Sequence, residues 1–175
     1  MTVLDDTMRE ASRGEASAPH GHGGTNAGPP AVPPTAKWLG GLGALPFVGL
    51  AAAGLAAEPA LGEFARLALA AYGAVILSFL GGVHWGLAMA GLGPDSGVCR
   101  TARRLAYSVI PSLVGWGALF VARPLGLLIL AAAFTGMLLF DGRASRIGEA
   151  PLWYRRLRLP LTGVVVAALV VGAAG

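Results

Sequence analysis

The chain has 175 residues, of which 55% are hydrophobic and only 13% charged, about half the charged share of an ordinary soluble domain. The apolar residues fall in long runs, so lipid is the expected solvent. The formal charge of +4 does not argue for a nucleic-acid partner, because the basic residues sit in short segments beside apolar runs and so bear on membrane orientation.

Residues 1–36 mix Pro, Gly, Ser and charges without apolar periodicity and read as a disordered cytoplasmic tail. No apolar core with a cleavage site follows a basic start, and Asp5, Asp6, Glu10 and Glu15 argue against a transit peptide. His20 and His22 offer two metal-ligand side chains, short of a metal set. The first span is expected at 38–57, anchored by Lys37 and Trp38 and kinked at Pro46. Glu58-Pro59 closes it, and the segment to Arg66 reads as a polar turn.

The second span is expected at 67–90, the third at 105–122 and the fourth at 124–140, the last two joined as a tight hairpin at Arg123-Pro124. Residues 141–158 read as a polar loop ending in a membrane-surface segment, PLWYRRLRL. The fifth span follows at 159–174. The expected fold is all-α, a bundle of five transmembrane helices over residues 37–175; a four-span bundle would leave the first helix on the surface. Cys99 is the lone cysteine, so an intrachain disulfide is excluded. Lys37, Arg100, Arg103, Arg104, Arg143, Arg146, Arg155, Arg156 and Arg158 fall on one side of such a bundle, Arg66 and Arg123 on the other. The excess of positive charge predicts a cytoplasmic N-terminus and a C-terminus outside.

The second span carries SFLGGVHWG, and small residues recur along it every fourth position: Ala70, Ala74, Ser78, Gly82, Gly86, Ala90. Such a ridge lets another helix approach closely in lipid, so Ala74, Ser78, Gly82 and Gly86 are the candidate packing residues. His84 lies about 160° from Gly82 around the helix, with Gly73, Leu77, Leu80, Gly81 and Ala88 on its own face. A helix with both faces occupied is expected at the bundle centre. His84 is costly to expose to lipid and should face a polar interior about 10 Å from the cytoplasmic end.

The candidate pocket joins His84 and Trp85 to Tyr107, Ser112 and Asp141, with Ser108, Thr135 and Thr162 at similar depth. Asp141 is expected to close the fourth span, where a carboxylate opposes the helix dipole and needs a partner among Arg143, Arg103, Arg104 or His84. Histidine there serves packing, through a bond to Ser112 or Thr135, or handles a proton or solute. Haem or metal ligation is the third alternative. Trp85 and Trp116 lie deep enough that their indole N–H groups should seek partners. No motif for nucleotide, flavin, hydrolase or zinc-protease chemistry is present, and no cofactor is expected.

WLGGLGALPFVGL, YGAVILSFLGGVHWGLA, SVIPSLVGWGAL, LLFDGRAS and WYRRLRLPLT together resemble a bacterial membrane-protein family known as a domain of unknown function and related to transmembrane protein 69. The resemblance runs from residue 38 to the C-terminus and implies five spans in the inner membrane, with no assigned activity. The arginine-, alanine- and glycine-rich usage fits a GC-rich bacterial genome. The expected role is a structural or assembly subunit of the bacterial cytoplasmic membrane, its partners the lipid bilayer and either further copies or a larger complex. The alternative is a small-solute or proton-coupled transporter using His84 and Asp141. An intramembrane enzyme has least support, since one histidine and one aspartate do not make a reaction centre.

Overall fold

The computed structural model describes residues 32–56, 58–90, 98–146 and 152–175. These form five helices: α1 (Pro34–Ala56), α2 (Pro59–Met89), α3 (Val98–Ala118), α4 (Arg123–Arg146) and α5 (Leu152–Ala174). Four of them, α1, α2, α4 and α5, are long and apolar enough to cross a membrane. The chain is a membrane protein whose regular elements, among the described residues, are all helices. Most of the predicted tail and His20 and His22 lie outside the described residues, although Pro34–Ala36 already belong to α1.

Three boundaries differ from expectation, each for a local reason. The predicted turn before Arg66 is instead the first two turns of α2, because Pro59 sits at a helix start where its missing N–H costs nothing. α3 starts earlier and stops at Ala118, since 119–122 form the turn that reverses the chain into α4. The predicted polar loop 141–158 is largely helical: α4 runs on to Arg146, and α5 takes up PLWYRRLRL from Leu152 and passes through Pro160. Asp141 is therefore inside a helix and does not close one.

α2 packs against all four other helices, while α1 meets α2 and α5, and α3 meets α2 and α4. Its 31 residues span about 46 Å, well beyond a hydrocarbon core of about 30 Å. The core is built from stripes at helical spacing: Leu69 and Leu77 on α2, Leu127, Leu130 and Phe134 on α4, and Leu169 on α5, all fully buried. Phe47 of α1 joins them, tilted against Tyr72 at 4.9 Å and edge-on to Phe134 at 5.9 Å. Tyr72 Oη–H donates to the Gly43 carbonyl at 3.0 Å and pins α1 to α2.

α2 and α3 approach most closely at two glycines. A Cβ on Gly81 would collide with the Ser108 carbonyl, and one on Gly115 would press within 3.2 Å of the Ala74 backbone. At the far end of the bundle Glu63 accepts from Arg66 (2.9 Å) and from Arg123 (2.6 Å), and Arg66 Nη1 donates to the Gly54 carbonyl at 2.9 Å. Glu63 and Arg66 together thus tie the end of α1, the start of α2 and the start of α4.

Candidate functional site

The stripes that face the core also carry polar residues inward at the opposite end of the bundle. On α2 the series Leu77, Gly81, Ala88 includes His84; on α4 the series Leu127, Leu130, Phe134, Met137 continues to Asp141 and Ser145; on α5 Leu169 and Val165 lead back to Thr162 and Arg158. His84 lies five residues before Met89, Asp141 five before Arg146, and Arg158 six after Leu152. Each is therefore about 8–9 Å inside its helix end, and the three helices bring them to one level.

There they bond. His84 Nε2–H donates to Asp141 Oδ1 at 2.6 Å, and Arg158 Nε–H donates to Asp141 Oδ2 at 2.8 Å. Asp141 is fully buried, His84 is 8% exposed and Arg158 7%. An ionised carboxylate only accepts, so Nε2 is the donor whether the imidazole is neutral or protonated, and Nδ1 is the ring nitrogen left over. Both distances suit charge-assisted bonds. The Phe140 ring lies edge-on to the imidazole at 4.9 Å. Among the described residues, three further buried atoms in this cluster have no hydrogen-bond partner: Ser145 Oγ, Arg158 Nη2 and Thr162 Oγ1. Ser145 stands one helical turn beyond Asp141, and Thr162 one turn beyond Arg158.

Two cavities flank the triad. The first, about 500 Å³, lies among α2, α3 and α4 and is lined by His84, Tyr107, Ser108, Pro111, Met137 and Phe140 among others. The second, about 530 Å³, lies among α1, α2, α4 and α5, with Arg158 and Tyr154 as its polar lining. His84 opens on one and Arg158 on the other.

The predicted site residues separate accordingly. His84 and Asp141 are brought together, and Tyr107 lines the first cavity while half exposed. Ser112 is half-buried and not in that lining; Ser108 is, its hydroxyl donating to the Leu105 carbonyl at 2.7 Å. Trp85 faces outward, as does Trp116, which packs edge-on against Phe120 at 4.7 Å. Neither Ser112 nor Thr135 bonds His84, and the Thr135 hydroxyl returns to the Ala131 carbonyl of its own helix.

Of the small-residue ridge, Ala74 is buried against Gly115, and Ser78 is half-buried with its hydroxyl bonded back to Ala74. Gly82 and Gly86 are exposed, and a Cβ on either would meet nothing within 4 Å. Beside the Ala74–Gly115 contact, the other close approach of this helix falls one residue before Gly82, on the His84 face at Gly81. Arg158 went unrecognised because it looked like one of a run of surface arginines. Its spacing of four, seven and eleven residues from Thr162, Val165 and Leu169 was the signal that set it apart. Among the described residues no group of three or more His, Cys, Asp or Glu side chains is placed to hold a metal.

Residues 32–174 match a family described as protein of unknown function DUF3429. Transmembrane protein 69 of Xenopus tropicalis is 35% identical over 143 residues, covering 79% of this chain and 53% of that protein. The chain thus spans about half the length of this curated relative. No solved structure matches it.

Proposed function

We propose a function for this chain, which belongs to the DUF3429 family of proteins of unknown function, from its own residues: it binds a small solute in the His84 cavity and exchanges a proton with it. The observation that carries this is the buried His84–Asp141–Arg158 triad, whose imidazole opens on a cavity of about 500 Å³. Buried charges are an expensive way to hold helices together, because apolar side chains of similar volume serve as well or better. Imidazole is the side chain suited to proton exchange near neutral pH. With Nε2 engaged by Asp141, Nδ1 is the atom that accepts or releases the proton.

The same proposal takes the protein as a five-span resident of the bacterial cytoplasmic membrane, N-terminus inside. Support for the fifth span comes from α3, whose apolar stretch 105–118 covers about 21 Å and is preceded by Arg100, Arg103 and Arg104. The distribution of basic residues supports the orientation. His84→Gln tests the function. It should insert and assemble as the parent does yet fail to restore a strain lacking the protein; full restoration would refute proton exchange at His84. A reporter fused after Gly175 that proved cytoplasmic would refute the orientation.

A second reading, a structural subunit of a membrane assembly, is favoured by the bare outer face of α2 at Gly82 and Gly86. Small residues on a lipid-facing surface let another helix come close. Gly82→Leu should abolish cross-linking to a partner in native membranes under that reading and leave it unchanged otherwise.

A further inference from the structure

We infer that the second cavity is a binding slot for a single-chain anionic amphiphile, a long-chain carboxylate whose head is held by Arg158 and whose chain runs into the bundle between α1, α2 and α5. The slot is elongated along the helices. On α5 its lining runs from Tyr154 and Arg158 to Val165, and on α1 from Ala36 to Phe47. Eleven residues on each helix correspond to about 16 Å of depth. About 530 Å³ spread over that depth is a narrow slot with room for an extended chain.

The polarity of the slot is graded. Below Arg158 its lining is aliphatic and aromatic, ending on Phe47, Phe134 and Val165. Below the mouth Arg158 is only 7% exposed, and its Nη2 has no hydrogen-bond partner among the described residues. A buried guanidinium nitrogen with unused N–H groups calls for an acceptor oxygen. Lys37, Arg155 and Arg156 are exposed in the first turns of α1 and α5 and keep the field at the mouth positive although Asp141 is close. A singly charged carboxylate head suits the one guanidinium nitrogen, Nη2, that Asp141 leaves unused; a phosphate would need more donors.

The sides of the slot decide the route of entry. Leu39 is 71% exposed and Phe79 67%, and both line it, so the slot opens sideways towards lipid. Ala36 and Tyr154 stand at the mouth, about 3 Å inside their helix ends, and Arg158 about 9 Å inside. An amphiphile already in the bilayer enters from the side, and no charge crosses the membrane.

The test uses the full-length protein in phosphatidylcholine nanodiscs with a palmitate probe carrying a mid-chain diazirine. After photolysis, mass spectrometry maps the adducts. Labelling is expected on residues 40–47 and 157–165. The matching alcohol probe, with no charge on its head, should label about tenfold less, the worth of one charge-assisted bond. Ala44→Phe fills the slot without touching a charge and should reduce labelling by at least as much; Arg158→Gln should bring the acid down to the level of the alcohol. Equal labelling by acid and alcohol overturns the inference, as does labelling unaffected by Ala44→Phe. A diazirine phospholipid that displaces palmitate from these residues overturns it too, because the occupant would then be a bilayer lipid.

Discussion

Asp141→Asn is the most discriminating single change in this protein. The substitution keeps the shape and one carbonyl oxygen, which can accept from His84 Nε2 or from Arg158 Nε but not from both; the new amide N–H₂ then faces the other donor. It also removes the charge that balances a guanidinium only 7% exposed. In a water-soluble protein, breaking such a buried pair from one side costs about 3–5 kcal/mol. In lipid the separated helices also find partners for their polar groups, and single interhelical polar contacts average nearer about 0.6 kcal/mol with a ceiling around 1.7. Asp141 makes two contacts, both at charge-assisted length, so a loss of about 2–3 kcal/mol is expected. Unfolding by sodium dodecyl sulfate from dodecyl maltoside micelles, followed by circular dichroism, measures it. Arg158→Leu should cost a similar amount, and Asp141→Leu with Arg158→Leu clearly less than the two together, because no charge is left stranded. A loss below about 0.5 kcal/mol for Asp141→Asn, or strict additivity in the double variant, would show that the triad does not hold α4 to α5.

Gly81→Ala should destabilise by about 1–3 kcal/mol, since its Cβ meets the Ser108 backbone carbonyl, which cannot turn aside; Gly82→Ala, one residue on, should be neutral or slightly stabilising in the same melt. Tyr72→Phe removes the bond to the Gly43 carbonyl and should cost about 0.5–1.5 kcal/mol, with a matching rise in hydrogen exchange of α1 amides. Glu63→Gln releases Arg66 and Arg123 at the far end of the bundle. Both pairs are solvent-facing, so its effect on the melting temperature should be smaller than that of any triad variant and should fade as salt is raised.

The membrane class, the helical content and the central place of the SFLGGVHWG helix were legible in the chain, because long apolar runs and fourfold spacing are local signals. His84 could be assigned to an inward face by angle alone, since Gly73, Leu77, Leu80, Gly81 and Ala88 share its stripe and all are buried. Helix ends were not legible. Asp141-Gly-Arg and the Trp153 to Arg158 stretch look polar enough to end a span, yet α4 and α5 carry them as helix, with Asp141 and Arg158 bonded to each other inside the bundle. That extension hid Arg158: a residue counted as loop charge cannot be considered for the interior. Gly81 and Gly82 are equivalent as composition, and only the position of α3 decides which of them a neighbour within the chain needs bare.

Exposure carries a different meaning in this protein from its meaning in water. Phe79, Trp85, Trp116 and Phe120 face outward at no cost when the surroundings are acyl chains, so apolar surface marks no site here. The informative residues are the polar ones that the bundle has taken inside, and they are concentrated at one end. The opposite end places its charges on the rim, where Glu63 is half exposed between two arginines. An arrangement meant only to clamp helices could have used the same rim geometry at both ends. Instead Asp141 sits fully buried between His84 and Arg158, each of which opens on a separate cavity. The carboxylate thus bonds one residue from the lining of each cavity.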